Sequence, residues 1–190
     1  MKEQARVLGI DDGPFVKGQG TVPLVGVLVC PPGYVEGVLV SSCAVDGNDA
    51  NEAIIGMVNP SRFREQVRMI MIDGVAFGGF NVVDISALSA ALDLPVVTVA
   101  RDEPDMNSIT SALKAHFTDW EQRLAMVSKA KVRPVEIPLG RLFIASAGIR
   151  EDDADDAVRR CLVRGCLPEP VRLAHLVATA LVRGESRGKA

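Results

Sequence analysis

Three apolar runs in the first 45 residues, joined by turns, constrain this chain more than any other feature. The run 5–10 ends on Asp11-Asp12-Gly13, the run 21–30 on Pro31-Pro32-Gly33, and the run 35–45 on Asp46-Gly47-Asn48-Asp49. Turns between strands give antiparallel pairs, whereas a parallel pair needs a crossover of a dozen or more residues. The three runs are therefore expected to form an antiparallel meander.

Beyond the meander the pattern changes. Residues 50–58 show helical periodicity with Asn48 or Asp49 as N-cap, and 61–65 can add a helical turn. The run 67–72 reads as a fourth strand and stops at Asp73-Gly74. A glycine-containing loop follows, then a helix over 82–92 and a fifth, largely β-branched strand over 95–100. Helices are expected over 106–115, 119–130, 152–164 and 171–182, the last introduced by Pro168-Glu169-Pro170. Short strands fit 135–137 and 141–146, and the polar tail 183–190 is expected to fray. Strands joined by helical crossovers pair in parallel. The expected fold is α/β: one domain over residues 1–190, with a mixed, roughly five-stranded sheet flanked by helices.

Composition narrows the function. Hydrophobic residues make up 48% and charged residues 24% of the 190, an ordinary globular balance. A net charge of −3 argues against a strongly basic nucleic-acid footprint but leaves room for local patches. No apolar run reaches the roughly 18 residues of a membrane span, and the start carries no signal-peptide core, so a cytoplasmic protein is expected without membrane contact. Cys30, Cys43, Cys161 and Cys166 lack metal-ligand spacing and there are two histidines, which disfavours a zinc site; free thiols are expected.

The carboxylates at strand ends carry the chemistry. If strands one and four are parallel neighbours, Asp11 and Asp73 emerge side by side, with Asp49 nearby. Clustered carboxylates repel each other unless a cation neutralises them. Hard oxygen ligands suit Mg²⁺ or Mn²⁺, which can activate water for phosphodiester cleavage. Taken singly, each Asp-Gly pair (12–13, 46–47, 73–74) equally suits a turn, and Asp49 an N-cap.

Here a resemblance enters. Gly9-Ile10-Asp11, Asp73-Gly74 before a glycine-containing loop, the stretch Pro95 to Arg101, and Leu167-Pro168-Glu169-Pro170-Val171-Arg172-Leu173-Ala174-His175 resemble motifs of endonuclease V, a ribonuclease-H-like enzyme. The strings GIDDGPF, DGNDANEAI, IDGVAFGGFNVVDI and PEPVRLAHL are still more similar to the mostly archaeal endonuclease dU family and cover most of the chain. The resemblance implies a ribonuclease-H-like fold and a Mg²⁺- or Mn²⁺-dependent endonuclease. Its substrate would be DNA, at deaminated bases such as deoxyuridine or deoxyinosine, with RNA a further possible partner. It implies Asp11, Asp49 and Asp73 as metal ligands and His175 as a fourth catalytic group. The chain departs in two places. The His-Pro-Arg of endonuclease V is replaced by the loop 75–81, and its catalytic glutamate has no counterpart by motif. Asp49 fills that place from order alone, with Asp46 as rival.

Other residues have two readings. Arg101 can contact a phosphate or pair on the surface. Gly74, Gly78 and Gly79 can admit a nucleotide backbone, and Phe80 can stack on a base or fill the core. Glu169 and Arg172 can pin the last helix. Asp84 is expected at a helix N-terminus. His175 alone reads as a partly buried histidine, and His116 as incidental. A non-catalytic nucleic-acid- or protein-binding module on the same scaffold is the alternative function.

Overall fold

The meander forms as expected: β1 (Arg6–Asp12), β2 (Thr21–Cys30) and β3 (Tyr34–Ala44) pair antiparallel. The computed structural model describes residues 5–16 and 18–187; the first four residues and the end of the polar tail lie outside them. After α1 (Ala50–Val58), β4 (Val67–Asp73) joins the free side of β1 in parallel. The glycine-containing loop holds a separate small hairpin of β5 (Ala76–Phe77) and β6 (Asn81–Val82). α2 (Ile85–Leu92) leads to β7 (Val96–Ala100), which pairs with β4 in parallel.

The principal sheet has seven strands, not five, in the order β3-β2-β1-β4-β7-β9-β8. The helical pair α3 (Met106–His116) and α4 (Trp120–Lys129) precedes β8 (Arg133–Ile137) and β9 (Gly140–Ala147). These last two form an antiparallel hairpin, and β9 lies antiparallel to β7. The segments read as short strands are thus full members of the sheet, because Val135, Ile137, Leu142 and Ile144 alternate onto one buried face. The chain closes with α5 (Glu151–Arg160) and α6 (Glu169–Arg183).

Four other boundaries differ from expectation. α5 stops at Arg160, four residues short of 164, and the Cys161 carbonyl accepts from the Glu169 amide at 2.7 Å instead of continuing the helix. Residues 61–65 form hydrogen-bonded turns, not helix, with Arg64 N–H donating to the Ser61 carbonyl at 3.0 Å. α2 starts at Ile85, since Val82 and Val83 are buried and Asp84 accepts from the Ser86 and Ala87 amides at 3.1 and 3.0 Å. α6 continues to Arg183, where Gly184 in the left-handed region (φ 78°) ends it.

The pleat of the strands sorts side chains between two helical layers. Leu8 and Ile10 of β1, with Ile70 and Ile72 of β4, pack with Ile54 of α1 and Leu88 of α2. Val7, Met69 and Met71 point the other way, to Ala157 and Val158 of α5 and Val171 of α6. Farther out, Val25, Val27 and Val29 of β2 meet Ala174 and Ala178 of α6.

One contact sets the position of α6. A Cβ at Gly9 would overlap the backbone carbonyl of Pro170 and come within 2.6 Å of Val171 N, so the helix lies directly on the strand. At Gly13, farther along, a Cβ would come within 3.1 Å of the Ala178 carbonyl. Four strand residues rise about 13 Å and eight helical residues about 12 Å, so helix and strand run side by side.

Candidate functional site

Asp11 and Asp73 are brought together by register. Gly9 pairs with Met71 and Ile10 with Ile72 across parallel β1 and β4, so Asp11 and Asp73 are the next level pair. Adjacent strands lie about 4.8 Å apart. Both residues continue the alternation of Val7 and Met69, which directs them to the face that α6 covers. Five residues of α6 beyond Pro170 rise about 7.5 Å, and two residues of β1 beyond Gly9 rise about 6.7 Å. That parallel advance brings His175 to Asp11, with Nδ1 2.7 Å from Oδ2. Among the described residues, Asp11, Asp73 and His175 form the one group of potential metal ligands, with donor atoms all within 4.8 Å of one another.

The electrostatics of the group are strained. Asp11 is 5% exposed, and burial pushes its carboxyl up to about 7, opposed by the His175 hydrogen bond and reinforced by Asp73 and Asp12. Asp73 is also raised by burial, partly offset by the Arg101 and His175 charges. No hydrogen bond reaches the Asp73 carboxylate among the described residues. His175 is raised by its hydrogen bond to Asp11 and by the charges of Asp11 and Asp73. Two desolvated carboxylates at one point, one without a donor, are the arrangement that a hard divalent cation relieves.

A cleft of about 1390 Å³ opens over this cluster. Arg101 lies two residues past Val99, the partner of Asp73, so it falls on the same face and lines the cleft. Arg172, Arg183 and Arg187 line it too. Glu169, 8% exposed, holds Arg172 through hydrogen bonds of 2.7 and 2.6 Å, so the pair pins the start of α6 at the cleft wall.

Asp49 does not join the cluster. It precedes α1, on the opposite face of the sheet, and its carboxylate accepts from Ala44 N–H at 3.0 Å and Asn81 Nδ2 at 2.6 Å. It makes no side-chain cap to its helix. The rival Asp46 is likewise occupied: at φ 56° it accepts from the Phe80 amide at 3.0 Å. The structure thus does not bring Asp49, expected as a metal ligand, into the group of Asp11 and Asp73; its carboxylate is held by Ala44 and Asn81 instead.

Gly74, Gly78, Gly79 and Phe80 do not line the cleft. Gly74 (φ 69°) ends β4, with its amide on the Val99 carbonyl at 2.9 Å. Gly78 donates to Asp12 Oδ2 at 2.8 Å, and Gly79 packs so closely on Asp46 that a Cβ would overlap its carboxylate. Phe80 stacks edge-on against Phe117, ring centres 5.6 Å apart, which makes it a packing residue. These positions staple the β5–β6 hairpin to the meander. His116 is exposed at the end of α3.

Sequence reasoning overlooked two residues. Asp12 faces away from Asp11 and grips Gly78; strict alternation along β1 would have separated their roles. Arg123 is 4% exposed and bridges Asp119 (2.9 Å) and the carbonyls of Gly47 (2.8 Å) and Phe80 (2.6 Å), with its guanidinium 4.4 Å from the Phe117 ring centre. No local pattern marks an arginine on a polar helix as buried.

Comparison with known proteins follows the same lines. A family model described as endonuclease dU matches residues 3–182. A UPF0215 protein of Methanothermobacter thermautotrophicus is 46% identical over 192 residues, covering 100% of this chain and 94% of that one. The crystal structure of a protein of unknown function from Archaeoglobus fulgidus superposes with a TM-score of 0.84 at 38% identity, covering 94% of this chain and 99% of that one. Ciona intestinalis endonuclease V, in complex with DNA containing an inosine, matches with a TM-score of 0.61 at 13% identity over 92% of this chain and 83% of that one. At that identity the likeness concerns the fold, which is ribonuclease-H-like.

Proposed function

The chain belongs to the endonuclease dU family, and on that premise we propose that it is a divalent-metal-dependent endonuclease that cuts a phosphodiester in DNA beside a deaminated base, deoxyuridine or deoxyinosine. The observation that carries this reading is the level pair Asp11 and Asp73 on adjacent parallel strands, desolvated and backed by His175. Asp11 and Asp73 would hold Mg²⁺ or Mn²⁺, which supplies charge neutralisation at a phosphoryl oxygen and a more acidic water.

The protein's own groups have separable roles. Asp11 and Asp73 concentrate negative charge at a rigid strand edge, so a cation is drawn there and a bare phosphate is not. His175 holds Asp11 in place through Nδ1 and is half-exposed to the cleft, where its ring can accept or return a proton. Arg101, exposed beside Asp73, offers charge to a phosphate oxygen, and Arg183 and Arg187 extend that cation wall along the cleft. The donated DNA strand would thus meet positive walls around an acidic floor. Such a protein acts in the cytoplasm; no helix among the described residues is long and apolar enough to cross a membrane.

The test is a cleavage assay on oligonucleotides that carry uracil, hypoxanthine or no lesion, with Mg²⁺, with Mn²⁺ or with chelator. Nicking that needs the cation and favours one lesion supports the proposal. Equal cutting in chelator, or none on any strand, overturns it.

A further inference from the structure

The loop between β1 and β2 presents an apolar ring to a cleft with many charged groups. Phe15 is 38% exposed, lines the cleft with Asp11 and Asp73, and is followed by Val16 at 71% exposure. Among the described residues that line the cleft it is the one aromatic. Of the rings elsewhere, Phe77 is buried, Phe80 and Phe117 stack on each other, Trp120 lies under Lys114, and Tyr34 is exposed at the start of β3, outside the cleft. Phe15 therefore stands beside the two carboxylates with part of its ring open to the cleft. We propose that Phe15 is a stacking platform for an unpaired nucleobase of the strand whose phosphate occupies the Asp11–Asp73 centre. This rests on the nuclease reading and adds to it the group that holds the base.

The ring is held where such a role needs it. On its N-terminal side Gly13 N–H donates to the Pro23 carbonyl at 2.9 Å. On its C-terminal side Val16 is fixed twice by Gln19. The Gln19 amide donates to the Val16 carbonyl at 3.0 Å, and Val16 N–H donates to Gln19 Oε1 at 3.3 Å. Gln19 Nε2 in turn donates to the Thr21 carbonyl at 2.7 Å. The far edge of the ring reaches Gly79, where a Cβ would lie 3.6 Å from Phe15 Cζ, and Asp12 fastens the neighbouring Gly78. The platform is therefore built before any strand arrives, which reduces the ordering cost of binding. Stacking on a phenyl ring uses the π-face that every base has, so Phe15 contributes affinity and position, and base identity is read by other groups.

The experiment compares single-stranded binding of an oligothymidylate and an abasic oligomer of equal length, by fluorescence anisotropy in Ca²⁺ so that the strand stays whole. Wild-type protein is expected to favour the base-bearing strand by about tenfold. Phe15→Leu keeps an apolar side chain and the fold but removes the π-face, and should lose that preference while its affinity for the abasic strand stays unchanged. Phe15→Trp in a Trp120→Phe background should retain the preference and show indole quenching when the base-bearing strand is added. A preference that survives in Phe15→Leu, or a wild type without one, overturns the inference. A base preference that depends on Phe15, with no cleavage in Mn²⁺, leaves the platform standing and overturns the nuclease reading alone. Binding to neither strand overturns both.

Discussion

At the residue scale, carboxylates that would face a cation, Asp11 and Asp73, differ from carboxylates that tie the backbone, Asp12, Asp46 and Asp49. Asp73→Asn keeps the shape and the turn but removes charge. It should weaken Mn²⁺ binding in isothermal titration and lower cleavage by more than about a hundredfold, beyond the 10- to 100-fold typical of groups that only support a ligand. The metal-free protein should not lose melting temperature, because burial raises the Asp73 carboxyl and no donor among the described residues reaches it. Asp49→Ala should behave in the opposite way. It leaves the Ala44 amide and one Asn81 Nδ2–H without an acceptor, the other staying on the Ala44 carbonyl, and should cost about 1–3 kcal/mol in urea unfolding, while cleavage per folded molecule is kept. Loss of metal binding in Asp49→Ala with full stability would restore Asp49 to the centre. The contrast explains what the sequence made legible. Asp11 and Asp73 were readable because strand order and alternation determine where a strand-end side chain emerges. Asp49 was not, because its role depends on which side of the sheet α1 packs, and an acidic residue before a helix looks the same on either side.

At the element scale, the site depends on how closely α6 lies on β1. Gly9→Ala would push a methyl group into the Pro170 backbone, which cannot rotate away. The expected cost is about 1–3 kcal/mol, or a few degrees of melting temperature in a chain of this size, together with weaker metal binding as His175 moves off Asp11. An unchanged melting curve would mean that helix and strand have more room than the structure gives them. This contact also gives the Gly-x-Asp pattern a physical reason: the glycine admits the helix that delivers His175 to the aspartate. On the opposite layer, Arg123→Met should cost about 1–3 kcal/mol, since it removes the donor of the partly buried Gly47 and Phe80 carbonyls. Periodicity in the sequence foretold the meander, the crossovers and most helices. It under-read β8 and β9, because β9 pairs with β7 across more than forty residues of chain (Ala100 to Phe143), which leaves no local mark. It also took Val82 and Val83 into a helix, although burial keeps them in and beside the β5–β6 hairpin.

At the scale of the whole molecule, the acidic centre is expected to oppose folding until a cation fills it. Below about pH 4 Asp11 is protonated in folded and unfolded chains alike and has no effect. From there to about 7 the unfolded chain ionises it while the folded protein keeps its proton, so stability falls as pH rises and the loss is complete above about 7. His175 acts in the same direction: its raised value adds stability below about 6.5 that disappears as pH climbs through the folded value. The melting temperature of chelated protein should therefore fall between pH 4 and pH 7.5, and the increment that Mn²⁺ adds should grow over the same range, since the cation requires ionised carboxylates. A Mn²⁺ increment independent of pH would place the ion elsewhere. The most direct test of the central claim is the anomalous difference map of a crystal soaked in Mn²⁺ near pH 7.5. The account predicts a peak about 2.2 Å from a carboxylate oxygen of Asp11 and of Asp73, and none beside Asp46 or Asp49. A map with no peak at Asp11 and Asp73, or with its peak at Asp49, would contradict it.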